Sequence, residues 1–154
     1  MNIFNNFRDH LSQCINNLQD NGKISNNLEL ANISVEPPRN RDHGDVSTNA
    51  ALVLAPDLKR KPREVAQLLA TALSGPPEIE SIEVAGPGFL NVRYSQEFWR
   101  DVLGHIVEVG PEFGRSSMGK NKRIVLEYVS ANPTGPLHVG HARGAIFGDT
   151  LARL

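Results

Sequence analysis

Cysteine is almost missing from this sequence. Cys14 is the only one in 154 residues, which excludes an internal disulfide and a cysteine-built zinc site and fits a reducing compartment, with the cytoplasm as the default location. An excess of positive charge is missing too: Lys and Arg number 16 against 17 Asp and Glu, so the chain as a whole does not hold nucleic acid by bulk charge, and any RNA contact must come from local patches. No apolar run approaches the roughly 18 residues of a spanning helix. Met1 is followed by Asn2, Asn5 and Asn6 rather than by the basic and apolar regions of a signal peptide. Membrane insertion and secretion are therefore not expected. Internal repeats are absent, and the only biased stretch is the Asn-rich start. With 40% hydrophobic and 21% charged residues, the composition supports one real core and not two full-sized ones.

What is present first is a run of alternating helix and strand signals. Ile3, Phe7, Leu11, Cys14, Ile15 and Leu18 recur at spacings of three and four, predicting a helix that ends before Asn21-Gly22. Residues 30–36, with Ile33 and Val35 on one side, predict a short strand stopped by Pro37-Pro38, and residues 39–45 a polar loop. Ser47 or Thr48 is expected to cap a helix through Ala50, Leu52, Val53 and Leu54 that Pro56 closes, and Gly44-Asp45 before it to build a turn. Pro62 opens another helix, with a stripe of Val65, Leu68, Leu69, Ala72 and Leu73.

Ile79, Ile82 and Val84, then Gly86-Pro87-Gly88, then Phe89, Leu90, Val92 and Tyr94 predict a hairpin. Ser95 is placed to cap a helix carrying Phe98, Trp99, Val102, Leu103, Ile106 and Val109, ended by Gly110-Pro111. These elements describe an α+β domain over residues 1–110, a short antiparallel sheet with packed helices. Residues 111–121 then form a linker.

The composition changes at Ile124. Ile-Val-Leu-Glu-Tyr-Val is the nearly continuous apolar run of a strand buried on both faces in a parallel sheet, and Val139, Ile146, Phe147, Thr150, Leu151 and Leu154 follow with helical spacing. Residues 122–154 are thus expected to be the first β-strand and α-helix of a truncated Rossmann-like α/β domain. The sequence is expected to be a fragment whose exposed strand edge and helix stripe favour self-association.

The segment richest in chemistry is Glu127-Tyr-Val-Ser-Ala-Asn-Pro-Thr-Gly-Pro-Leu-His-Val-Gly-His141. Free N–H groups and the positive dipole end at a helix start favour phosphate, and Gly140 lets a nucleotide approach the backbone. His138 and His141, three apart, share a helical face and are candidates to donate hydrogen bonds to phosphate oxygens as charge builds on phosphorus. Arg143 is either a phosphate contact or first-turn surface. Lys59, Arg60, Lys61 and Arg63 form the densest basic cluster, suited to RNA phosphates or simply to a solvated helix start.

His138-Val-Gly-His141 resembles the His-Ile-Gly-His signature of class I aminoacyl-tRNA synthetases, and the surrounding stretch from Ser130 to Gly144 resembles the arginyl-tRNA synthetases in particular. His43-Gly-Asp-Val-Ser-Thr-Asn-Ala-Ala-Leu52, Pro62-Arg-Glu-Val-Ala66 and Val84-Ala-Gly-Pro-Gly-Phe-Leu-Asn-Val92 are similar to successive landmarks of that family's additional N-terminal domain. The resemblance implies arginine–tRNA ligase activity in a full-length, monomeric parent using ATP and Mg²⁺, and a fragment that is inactive but retains weak tRNA binding. It implies catalysis by His138 and His141, ATP binding by these two and Gly140, and arginine binding by Glu127, Ser130 and Asn132. It also implies contacts to the D-loop of tRNA(Arg) through Phe89, Asn91, Tyr94 and Gln96, and no metal ligand on the protein. Strand alternation puts Phe89 and Asn91 on one face and Tyr94 on the other. Two other readings stay open: a nucleotidyltransferase with a His-x-Gly-His loop, and a free-standing RNA-binding module.

Overall fold

The computed structural model describes residues 2–117, 119–132 and 134–153; Leu154 of the expected helical stripe and Pro133 of the Pro-Thr-Gly-Pro loop lie outside the described residues. The chain divides into two compact units, Met1–Gly110 and Pro111–Leu154.

In the first unit, helix α1 (Ile3–Asp20) starts where the Asn2 side chain accepts hydrogen bonds from the Phe4 and Asn5 amides at 3.0 and 3.3 Å. It buries Phe7, Leu11, Cys14, Ile15 and Leu18, the face its spacing predicts. Burial pushes the Cys14 thiol up, so it packs as a small apolar group with its sulfur 3.5 Å from the Ala72 carbonyl oxygen of α3 (Pro62–Leu73). Helix α2 (Ala50–Leu58) adds Ala50, Ala51, Leu54 and Ala55 to this core, and α3 adds Val65, Ala66, Leu69 and Leu73.

Against the helices lies a four-stranded antiparallel sheet in the order β1-β2-β4-β3, built from β1 (Val35–Glu36), β2 (Val46–Thr48), β3 (Ile79–Ala85) and β4 (Phe89–Tyr94). The predicted hairpin is β3–β4. Its turn is fitted to α3, since a side chain on Gly88 (φ +147) would meet Pro62 at 3.0 Å. Leu90, Val92 and Tyr94 face the core, which leaves Phe89, Asn91 and Arg93 on the outer face. Helix α4 (Gln96–Val109) is capped by Ser95, whose hydroxyl accepts from the Phe98 amide at 3.2 Å, and is lightly packed: Val102 is buried while Leu103 and Val107 are exposed.

Three expectations are corrected here. The polar loop and helix cap around residues 39–48 contain a one-turn 3₁₀ helix (Arg41–His43) and the whole of β2. Three residues carry too little periodicity to announce a strand, and Val46 and Thr48 go inward because β4 pairs with them. The strand over residues 30–36 shrinks to Val35–Glu36, the only part that reaches β2. Pro56 does not close α2, which continues to Leu58 and stops at Lys59 in the left-handed conformation (φ 52). The proline removes a single backbone bond near the helix end, and burial of Leu54 and Ala55 beside it holds the turn.

The second unit holds helix α5 (Val139–Ala152). Residues 124–129, expected as a buried strand, carry no strand pairing; Ile124 is 77% and Val125 94% exposed. A strand exists only through a hydrogen-bonding neighbour, and among the described residues none lies beside this run. Tyr128 of this run packs on Gly148 of α5 so closely that a side chain there would meet the ring at 2.3 Å.

Candidate nucleic-acid groove and nucleotide-binding helix start

The outer face of the sheet in the first unit opens into a groove of about 510 Å³ lined by Glu36, Pro38, Arg39, Ser47, Phe89 and Asn91, with His43 and Gly86 at its margin. Its floor is fixed by a set of local bonds. The Asn49 side chain accepts from the Ser34 amide at 2.8 Å and donates to the Asn32 carbonyl at 3.2 Å, while the Thr48 hydroxyl donates to the Ser34 carbonyl at 2.7 Å and accepts from the Ala50 amide at 3.2 Å. Gly44 sits where no side chain fits, because a Cβ would lie 2.6 Å from the Val92 carbonyl oxygen at a φ of +102. Asp45 next to it closes the join, donating its amide to that carbonyl at 2.8 Å and accepting from the Tyr94 amide at 2.8 Å. The Gly44-Asp45 pair is thus structural. Arg93 ties the 3₁₀ turn to the sheet by donating to the Asp42 carbonyl at 2.7 Å.

Within the groove, Phe89 is 40% exposed and offers a ring face, whereas Asn91 is 94% buried, being 6% exposed. Among the described residues no sealed side-chain nitrogen or oxygen lacks a partner, and the Asn91 side chain lines the groove. Tyr94 is elsewhere. It lies on the core side of β4, stacks on Phe98 with ring centroids 4.2 Å apart and meets Trp99 edge-on. Burial, and behind it the charges of Asp45 and Glu78, push its hydroxyl up to about 12. Gln96 is exposed in the first turn of α4 and does not line the groove. Of the four residues named for the tRNA contact, the structure brings together Phe89 and Asn91. It adds Arg39, and also Ser47 and His43, which the sequence placed in a family landmark without giving them a binding role. The signal was the alternation Val46-Ser47-Thr48-Asn49, legible only once β2 is known to be a strand.

In the second unit the His138 and His141 rings stack at a centroid distance of 3.9 Å across the start of α5. They cap the helix reciprocally: His138 Nδ1 accepts from the Gly140 amide at 3.1 Å, and His141 Nδ1 accepts from the His138 amide at 3.2 Å. A neutral imidazole accepting at Nδ1 carries its proton on Nε2, so the network assigns each ring one outward N–H donor. Gly140 is part of this device, since a Cβ there would lie 3.0 Å from His138 Cε1 and 3.1 Å from Nδ1. Upstream, the Ser130 hydroxyl donates to the Glu127 carboxylate, and both residues are exposed. Asn132 is exposed and its carbonyl accepts from the Thr134 amide at 2.8 Å. Asp149 is engaged by Arg153 at 2.9 Å. Arg143 borders an apolar surface with Val139, Ile146 and Phe147. Lys59, Arg60, Lys61 and Arg63 are all exposed.

Comparison with known proteins matches residues 5–94 to the family described as arginyl tRNA synthetase N terminal domain, and residues 106–154 to the class I (R) tRNA synthetase catalytic domain. The whole chain is similar to the arginine–tRNA ligase of Ruegeria sp. (strain TM1040), at 51% identity, and to that of Roseobacter denitrificans, at 49%. It spans 27% of the length of each. A solved arginyl-tRNA synthetase from Thermus thermophilus is similar over 99% of this chain and 23% of its own, at 26% identity and a TM-score of 0.46.

Proposed function

Because the chain belongs to the arginyl-tRNA synthetase family, we propose that it forms the front of an enzyme that activates arginine with ATP and transfers it to tRNA(Arg). An arginine carboxylate oxygen attacks the α-phosphorus of ATP, the bond to pyrophosphate breaks, and arginyl-adenylate forms. A ribose hydroxyl at the tRNA end then attacks the carbonyl carbon and releases AMP.

The observation that carries this reading is the reciprocal histidine cap. It fixes two imidazoles at a helix start with both Nε2–H groups outward, where they donate to oxygens of a phosphate approaching the free amides. Donors already fixed lose little freedom when charge develops, so they favour the transition state over the bound substrate. Gly140 admits the nucleotide and leaves room for the His138 ring. Glu127 pairs with the arginine guanidinium while the Ser130 hydroxyl orients the carboxylate, and Asn132 holds the amino acid. Mg²⁺ would arrive with the nucleotide's phosphates, neutralising their charge.

The groove of the first unit holds a D-loop base of tRNA(Arg), with Phe89 stacking on its face and Asn91 bonding its edge. Gln96 makes a separate contact, and Tyr94 packs β4 against α4 instead of touching RNA. The parent enzyme works in the cytoplasm as a monomer, and among the described residues no helix is long and apolar enough to cross a membrane. The chain alone is catalytically inactive and binds tRNA weakly.

The test is ATP–pyrophosphate exchange in an enzyme of the relatives' full length carrying this sequence. His138→Ala and His141→Ala are each expected to lower the exchange rate by about 10²–10³-fold with a much smaller change in KM for ATP. A change confined to KM would make the histidines ground-state binders and overturn the mechanism.

A further inference from the structure

Beside Asn91, the strand register places a second polar residue in the groove. Ser47 of β2 is the direct partner of Asn91 of β4, and the same row continues to Glu36 of β1 and Glu83 of β3. Directly opposed side chains on one face stand roughly 5 Å apart. Ser47 is half-buried and, like Asn91, lines the groove. Its neighbours Thr48 and Asn49 hold the groove floor. A hydroxyl and an amide side by side in the groove form a matched pair of donors and acceptors for a ligand. Phe89 lies on the same face two residues along β4, roughly 7 Å away. A planar ring stacked on Phe89 therefore presents its edge to the Ser47–Asn91 pair.

We infer that Ser47 is a specificity-determining residue that reads the base edge together with Asn91, an inference that rests on the proposed tRNA-elbow reading of this groove. The hydroxyl either donates to or accepts from the base, and Asn91 fixes the base's orientation so that this one bond discriminates.

The experiment titrates the 154-residue chain with tRNA(Arg) transcripts in which each D-loop base in turn is replaced by an abasic residue. For the unaltered chain one position is expected to cost about tenfold, within the range for a lost stack and edge contact. On the intact tRNA, Ser47→Ala is expected to weaken binding about fivefold, the value of one neutral hydrogen bond, and Ser47→Thr to keep it. On the tRNA abasic at the sensitive position, Ser47→Ala should bind as the unaltered chain does. Equal losses on intact and abasic tRNA would place the hydroxyl on the backbone or in the fold and overturn the inference. If Asn91→Ala weakens binding in a base-dependent way and Ser47→Ala does not, the Ser47 assignment falls while the elbow reading stands. If no D-loop position matters to the unaltered chain, both fall.

Discussion

Asn91 is 6% exposed in a groove whose rim offers the ring of Phe89, so a ligand stacked on that ring meets the side-chain amide at its edge. Phe89→Ala and Asn91→Ala are each expected to weaken tRNA(Arg) binding by about 1–3 kcal/mol, and titration against a tRNA with altered D-loop bases checks the assignment. Equal affinity for both tRNAs would remove the base-reading role. Tyr94 shows the opposite case, an aromatic whose strand position sends it into the core. Its hydroxyl ionises near 10.0 when unfolded and about 12 in the fold, so the folded state keeps the proton longer. The stability this gives is complete below pH 10 and is lost as the pH rises toward about 12, an effect of roughly 2–3 kcal/mol. Urea unfolding of the chain should therefore show a fall in stability across that window that Tyr94→Phe lessens. Cys14, also pushed up by burial, contributes a fall of the same sign that the variant retains.

At the scale of elements, what was legible in the sequence is what the sequence alone determines. Helices α1 and α3 announce themselves because their buried stripes repeat over successive turns, and the β3–β4 hairpin because two alternating runs flank a Gly-Pro-Gly turn. Strand β2 was hidden because three residues define it and only their pairing with β1 and β4 gives them a direction. The groove-facing position of Ser47 was hidden with it. The run 124–129 failed for the complementary reason: its apolar pattern specifies a strand, yet a strand needs partners that local sequence does not supply. The His138–His141 pair was placed on one helical face by its spacing, but the reciprocal cap with both Nδ1 atoms inward appears only in the structure. Gly140 makes that cap possible, which yields a test. Gly140→Ala gains about 1 kcal/mol of helix propensity and loses about the same with the displaced His138 cap, so α5 should stay as helical as before. The His138 ring should nevertheless move. Imidazole nitrogen NMR should show Nδ1 losing its hydrogen bond, with adenylation in the full-length parent falling alongside. An unchanged Nδ1 signal would mean that the ring tolerates the methyl group, and Gly140 would then matter for nucleotide approach alone.

At the scale of the molecule, the two units differ in what covers their apolar surface. Met1–Gly110 closes on a core in which Phe7, Leu11, Ile15, Leu54, Leu69 and Leu90 are fully buried. In Pro111–Leu154, Val139 is 86%, Ile146 70% and Phe147 71% exposed, and these share one surface of α5 with Ala142 and Thr150. Side chains so exposed add little to cooperative stability and provide a surface for association. Removing residues 111–154 is therefore expected to leave the thermal midpoint of the remaining chain unchanged and to abolish any concentration-dependent association of the whole one. Calorimetry on both lengths, with solution scattering over a range of concentrations, checks this. Amide exchange adds the local measure: residues 124–129 should exchange far faster than residues 89–92 of β4, whose amides lie in a sheet paired on both sides. A monomer whose residues 124–152 are as protected as β4 would mean that the chain buries this surface internally, and α5 with the run before it would no longer stand as the opening of a larger sheet.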